Sequence, residues 1–192
     1  MEIQYLHIKN LRNHIDSEIE INNNLNVFYG KNGAGKTTIL EAISLCSLAK
    51  SFTSTPDANL INTGTNAYQI ECNAKNIMNL EYNIKLLYQK GMRKKISTNF
   101  GDNLSPKDII GEIPLVILSP DLNEISRGVP EKRREFIDKI LSQISKSYYE
   151  ELINFRKALK NRNAILNNYK NEGIFNNNLF DSWNEIFIKY AT

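Results

Sequence analysis

The sequence predicts an α/β fold in two lobes, a mixed strand-and-helix lobe followed by a helical one. Three observations carry that expectation. A glycine-rich stretch, Gly30 to Thr37, stands between an apolar strand-like run and an apolar helix-like run. Residues 67 to 98 hold three further runs of strand character separated by turns. From Pro130 the apolar spacing changes to steps of three and four, the period of a helix.

The first lobe opens with strands. Ile3-Gln4-Tyr5-Leu6-His7-Ile8 roughly alternates, as does Ser17-Glu18-Ile19-Glu20-Ile21, and Asn22-Asn23-Asn24 marks a turn. A third strand is expected at Leu25-Asn26-Val27-Phe28-Tyr29, leading straight into the glycine-rich stretch. Ile39, Leu40, Ile43, Leu45, Leu48 and Ala49 then fit a helix apolar on most sides and therefore buried. Lys50 to Asn66, rich in Ser, Thr, Asn and Gly, reads as a surface loop.

An antiparallel meander inserted after that helix is expected at Ala67 to Asn73, Asn79 to Tyr88 and Arg93 to Thr98, with a turn at Gly91. Pro114-Leu115-Val116-Ile117-Leu118 reads as a short buried strand. In the second lobe Ile137, Leu141, Ile144, Tyr148, Leu152, Phe155 and Leu159 lie on one face of a long helix. Pro130 suits its first turn, where a missing N–H costs nothing. This helix is expected to reach Tyr169 before Gly173 interrupts it. Phe180, Trp183, Ile186, Phe187 and Tyr190 mark a last amphipathic stretch. The boundaries read as 1–128 for the first lobe, with its β insertion at about 67–98, and 129–192 for the helical lobe.

Composition narrows the class. With 192 residues, 41% of them hydrophobic, the chain is long enough to bury a core. Its longest apolar run, Ile113 to Leu118, is too short to span a bilayer, and no secretory signal is visible. Cys46 and Cys72 sit in no metal or redox spacing, and reduced thiols in a cytoplasmic protein are the plain reading. A net charge of +3 is no argument for nucleic acid by itself. His7 and His14 have no carboxylate or cysteine at ligand spacing.

Gly30 to Thr37 matches G-x-x-x-x-G-K-[ST] at every defined position, a chance event on the order of one in a hundred for such a chain. The strand before it and the helix after it are the context the motif requires. Gly30, Gly33 and Gly35 let the backbone wrap an anion so that successive N–H groups face inward. Lys31, Asn32 and Ala34 complete the loop. Lys36 is expected at the β- and γ-phosphates, helped by the positive end of the helix. The Thr37 hydroxyl is the expected Mg²⁺ ligand, and Thr38 is placed to contact the α-phosphate. ATP with Mg²⁺ is the expected ligand pair.

Asn32-Gly33-Ala34-Gly35-Lys36-Thr37-Thr38 resembles the loop of ABC-type ATPases of DNA repair and chromosome maintenance. Ile8-Lys9-Asn10-Leu11-Arg12-Asn13-His14 is similar to the start of those proteins, where the basic residue lies near the nucleotide. Arg12 is therefore either a nucleotide contact or a solvated turn arginine. Leu118-Ser119-Pro120-Asp121 through Arg127-Gly128-Val129-Pro130 to Arg133-Arg134-Glu135-Phe136-Ile137-Asp138 resembles the stretch by which the bacterial RecF family differs from its relatives. Leu122 departs from it, standing where many members carry a second acid. Ser51-Phe52-Thr53 also looks like the family's.

The resemblance runs from Met1 to about Thr192 and implies the N-terminal part of a longer protein. The fold implied is a P-loop ABC-type ATPase lobe with an antiparallel β insertion and a long-helix second lobe, its C-terminal strands missing. Asp121 would then face the γ-phosphate to hold water or metal, or it caps the following helix, the favoured reading. The clusters Arg127, Lys132, Arg133, Arg134 and Arg93-Lys94-Lys95 are either phosphate-backbone contacts or solvated faces. The activity implied for the intact family is a weak DNA-stimulated ATPase that dimerises on ATP and clamps DNA. Single-stranded and gapped duplex DNA and the RecO and RecR proteins are the implied partners, in replication, gap repair, recombination, DNA damage and the SOS response.

Hydrolysis requires more. No apolar run here ends in Asp-Glu to hold Mg²⁺ and polarise water, and no L-S-x-G-type signature is present. No catalytic residue is assigned. A transporter-type ATPase subunit, a small P-loop kinase and an inactive truncated remnant remain as alternatives. The Ser119 to Asp138 stretch argues against the transporter, and the lack of an Arg-rich lid against the kinase.

Overall fold

The computed structural model describes residues 1–118, 129–173 and 175–191. The chain divides into two compact units, Met1–Ser119 and Pro120–Thr192.

The first unit is a five-stranded antiparallel sheet with one helix packed on it. Its strands are β1 (Glu2–Leu11), β2 (His14–Glu20), β3 (Ala67–Lys75), β4 (Glu81–Gln89) and β5 (Lys95–Thr98), in the order β2-β1-β3-β4-β5. Alternation dictates this layer. Along β3, Tyr68, Ile70, Cys72 and Ala74 are buried, and along β4 so are Tyr82, Ile84 and Leu86. In register, Ile70 faces Leu86 and Cys72 faces Ile84, so the apolar side chains form rows on one face. Helix α1 (Lys36–Leu48) covers that face with Ala42, Leu45 and Cys46. Hydrogen bonding with the Cys72 thiol, and then burial, push the Cys46 thiol well up, which suits an inert core cysteine.

The sheet both matches and departs from expectation. The meander follows α1 in the chain as expected, and the structure adds that β3 pairs along β1 from Glu2↔Lys75 to Lys9↔Gln69, which makes one sheet of all five strands. The strands expected at Leu25–Tyr29 and Pro114–Leu118 require correction: both segments lie outside every ladder, with Leu25, Val27, Tyr29, Val116 and Leu118 exposed. A strand of a parallel sheet is stable when neighbours pair its backbone and both faces are covered. Among the described residues neither segment has such neighbours. The 50–66 segment is also more ordered than a bare surface loop. It holds a 3-10 turn at Asp57–Asn59, the buried Ser51 and the fully buried Leu60. The short helix α2 (Pro106–Ile109), started by a Ser105–Asp108 capping box, adds Ile109 to the core.

The second unit contains α3 (Pro130–Ile144), α4 (Lys146–Glu172) and α5 (Asn177–Ala191). The expected single long helix is thus two. Ser145 adopts extended backbone (φ −133°) and its hydroxyl caps α4 by accepting from the Tyr148 N–H at 3.2 Å. The apolar stripe continues through this break, which is why periodicity alone missed it. Asp138 joins the two helices, accepting from Tyr148 Oη and Arg156 Nη2, each at 2.7 Å. Gly173 ends α4 in the left-handed conformation (φ 69°), as its position in the sequence suggested. Helix α5 returns along α4 with Phe187 stacked on Phe155 at 5.2 Å.

Candidate nucleotide-binding site

The glycine-rich stretch forms an exposed loop that ends in α1. Gly30, Gly33 and Gly35 have φ of 147°, 82° and 92°, a region that side chains rarely enter. At Gly35 there is also no room: an added Cβ would lie 2.3 Å from His14 Nε2. The residue types at these positions therefore follow from backbone shape.

Helix α1 begins with no side-chain cap and no acid in its first turn. Its leading amides keep their unmet hydrogen-bonding capacity and the positive end of the dipole. The Lys36 ammonium folds back to donate to the carbonyls of Gly30 and Lys31, both at 2.8 Å. Lys31, Asn32, Ala34 and Thr37 are exposed, whereas Thr38 is 4% exposed and turned toward the sheet. This arrangement suits an anion: amides without caps, a lysine at the loop mouth and no carboxylate in the first turn. The cradle fits a nucleotide's phosphates, and the exposed Thr37 hydroxyl fits an accessory role toward Mg²⁺.

The turn between β1 and β2 holds the loop. Of three consecutive residues, two reach the loop and one the helix behind it. His14 Nε2 lies 3.2 Å from the Gly35 carbonyl, which it meets as an N–H donor because its Nδ1 can accept from Ser17 at 2.9 Å. Asn13 Nδ2 donates to the Gly33 carbonyl at 2.8 Å, and its Oδ1 accepts from Thr38 Oγ1 at 3.4 Å. Arg12 pairs with Glu41 on α1, with Nη2 2.9 Å from Oε1 and Nε 2.5 Å from Oε2. Asn13, His14 and Glu41 were not assigned from the sequence. The N-x-x-N-H run from Asn10 to His14 carries no spacing rule that would have placed it against a loop some twenty residues on.

Arg12 is thus neither a freely solvated turn arginine nor remote from the loop. Its side chain is 37% exposed, and one edge of its guanidinium is engaged. Burial raises the Glu41 carboxyl, but hydrogen bonds from Arg12, Thr53 and Ser51 outweigh it and hold the group below its ordinary value.

Other sequence candidates separate. Lys94, grouped with Arg93 and Lys95 as a charge run, turns inward to Asp57 (2.8 Å) and the Ala49 carbonyl (2.7 Å). Tyr68 donates to the same carboxylate at 2.5 Å, which locks this lysine into structure. Arg93 and Lys95 remain exposed, as do Lys132, Arg133 and Arg134. Asp121 and Arg127 lie outside the described residues. His7 does have a carboxylate partner: Asp16, 2.6 Å away across the β1–β2 ladder. Among the described residues no cluster of His, Cys, Asp and Glu could hold a metal ion. None of the described helices is long and apolar enough to cross a membrane.

Comparison with known proteins follows the same lines. A family profile described as an AAA domain matches residues 5–186. A DNA replication and repair protein RecF from Salinibacter ruber is 34% identical over 170 residues, covering 88% of this chain and 41% of that protein. The protein of that name from Chlorobium phaeobacteroides is 32% identical over 191 residues, covering 100% of this chain and 52% of its own. A solved structure described as the recombination mediator protein RecF-ATPrS in the RecFOR pathway superposes with a TM-score of 0.90 at 29% identity. It is matched over 98% of this chain and 50% of that one. An SMC ATPase structure shares the fold, with a TM-score of 0.60 at 19% identity over 73% of this chain and 99% of that one. The chain spans about half the length of the curated relatives it matches.

Proposed function

The chain belongs to the RecF family of AAA-domain proteins, and on that premise we propose that it is the ATP-binding portion of a DNA replication and repair ATPase. The observation that carries this reading is the uncapped start of α1 behind a glycine loop that Asn13 and His14 hold open. RecF relatives named for DNA replication and repair favour it over a transporter subunit, a small kinase or an inert remnant.

Binding proceeds through this chain's own groups. The amides from Gly30 to Thr38, with Lys31, Asn32, Gly33, Ala34 and Gly35 forming the loop, receive the phosphate oxygens. Lys36 exchanges the Gly30 and Lys31 carbonyls for phosphate, a stronger partner because both members are charged. Thr37 takes a place among the ligands of Mg²⁺, which when bound neutralises phosphate charge. Arg12 presents its unengaged edge from the side.

In the whole protein ATP would join two copies around DNA, single-stranded or gapped duplex, with RecO and RecR as partners in the cytoplasm. From the two basic clusters, Arg93, Lys95, Lys132, Arg133 and Arg134 are exposed and are the candidates for contact with the DNA backbone. We place the end of the phosphate-loop lobe at about residue 128 and the helical lobe at 129–192. Turnover is assigned to groups beyond those described here, because no carboxylate follows an apolar strand among the described residues.

Calorimetry of ATP with Mg²⁺ against the chain, alongside a thermal melt, tests the reading. Saturable binding and a raised melting temperature are expected. A cooperative melt with no binding would overturn it.

A further inference from the structure

Glu41 is an acid in a place where an acid is expensive. It lies on α1, 1% exposed, in the turn after Thr37 and Thr38. Its Oε1 accepts from Arg12 Nη2 at 2.9 Å and from the hydroxyls of Ser51 and Thr53, each at 2.7 Å. Its Oε2 lies 2.5 Å from Arg12 Nε. Three donors thus converge on Oε1, while Oε2 is held by the charge of Arg12 and not by a well-formed hydrogen bond.

Arg12 is held just as firmly. Its backbone is left-handed (φ 50°), its N–H donates to Leu60 at 2.7 Å, and its carbonyl accepts from the Asn62 amide. Only the Nε–Nη2 edge of its guanidinium is used, by Glu41 and more distantly by Thr55 Oγ1 at 3.4 Å. No described residue accepts from Nη1. The next two residues, Asn13 and His14, touch Gly33 and Gly35, which puts Arg12 at the rim of the phosphate loop.

We propose that Glu41 is a positioning residue for nucleotide binding: it grips one edge of Arg12 so that the opposite edge meets the phosphates, and the Ser51–Thr55 segment sets that grip. The inference rests on the nucleotide reading of the site. Its physical basis is that Arg12 cannot swing away to reach a ligand. Leaving Glu41 would strand a buried carboxylate, a far larger penalty than one new contact repays. Arg12 must therefore act from where it sits, with its side-chain entropy already lost before the ligand arrives. Ser51, Thr53 and Thr55 form a chain of hydroxyls at 2.9 and 2.8 Å, so a shift of this segment moves Glu41 and with it Arg12.

The test is a double-mutant cycle on ATP·Mg²⁺ affinity with Arg12→Ala, Glu41→Gln and the pair, each with its urea midpoint. Arg12→Ala and Glu41→Gln should each weaken ATP about 10-fold, the size of one lost hydrogen bond to a charged group. The double variant should be no weaker than either. Wild-type affinity in Glu41→Gln, or penalties that multiply, would overturn the proposal, because a merely structural Glu41 moves the urea midpoint and leaves affinity alone. Ser51→Ala, which keeps both charges, is the milder companion should Glu41→Gln not fold. It should weaken ATP a few-fold in the wild-type background and not at all beside Arg12→Ala; equal losses in both backgrounds would sink the idea. Absence of binding in the wild type would instead defeat the nucleotide reading, and this inference with it.

Discussion

The side-chain amide of Asn13 donates to the backbone carbonyl of Gly33 at 2.8 Å, tying the tip of the first hairpin to the middle of the phosphate loop. With that carbonyl occupied from outside, the neighbouring amides are left for a ligand. The loop is thus shaped by a residue twenty positions earlier in the chain.

Replacing Asn13 by Ala should weaken ATP·Mg²⁺ binding by about 5- to 10-fold, the worth of one hydrogen bond near 1 kcal/mol. Asn13 is exposed, so the melting temperature should change little. Calorimetry and a thermal melt on the same samples check both halves. Unchanged affinity would mean the loop holds its shape unaided.

Lys36→Ala should abolish measurable binding while the fold survives. The ammonium bonds only to loop carbonyls among the described residues, so its removal leaves the core intact. A loss of at least about 100-fold is expected from a charged contact worth about 3 kcal/mol. Equal ATP affinity in the variant would remove the phosphate-loop assignment.

Gly35→Ala should be the most damaging single methyl in the loop. The position has φ of 92°, and the new Cβ would meet His14 Nε2 at 2.3 Å. Backbone strain alone costs about 1–3 kcal/mol at such a site. Gly33→Ala shares the backbone penalty (φ 82°) but meets nothing within 4 Å. Urea denaturation of the two variants should therefore rank Gly35→Ala as the less stable. The reverse order would contradict the described packing of His14.

Acid should destabilise the first unit through Glu41. Its folded carboxyl lies below the ordinary value of 4.5, so the unfolded chain takes up the proton more readily. The associated stability is fully present above about pH 4.5 and is lost as pH falls through the folded value. Asp16 and Glu71 are lowered too, so the comparison must be made against Glu41→Gln. Urea midpoints from pH 7 to pH 3 should fall less steeply in that variant. Parallel curves would show that Glu41 gives no such contribution.

Much of the fold was legible because its signals are local. The alternation of Tyr68, Ile70, Cys72 and Ala74 needs only the two-residue period of a strand, and Gly173 needs only a helix end that admits positive φ. The helix break at Ser145 was not legible. The apolar stripe crosses it, and only the serine's bond to the Tyr148 N–H marks the new start.

Leu25–Tyr29 and Pro114–Leu118 have strand-like sequences and yet belong to none of the described ladders. Composition sets what a segment can become, while a ladder requires a neighbour. Lys94 makes the same point for charge. In sequence it stands between two other cations, and in space it belongs to Asp57 and the Ala49 carbonyl.

Local sequence was enough to mark the glycine loop, because Gly30, Gly33 and Gly35 answer to the backbone geometry of a short stretch and Lys36 supplies its charge. What surrounds the loop came from packing across the fold: Asn13 on Gly33, His14 on Gly35, and Arg12 held by Glu41 under the hydroxyls of Ser51 and Thr53. The widest of those pairings, Arg12 with Glu41, joins residues 29 positions apart. The pairings exist because β1 and α1 pack on one another, and no local period encodes which side chains that packing brings together.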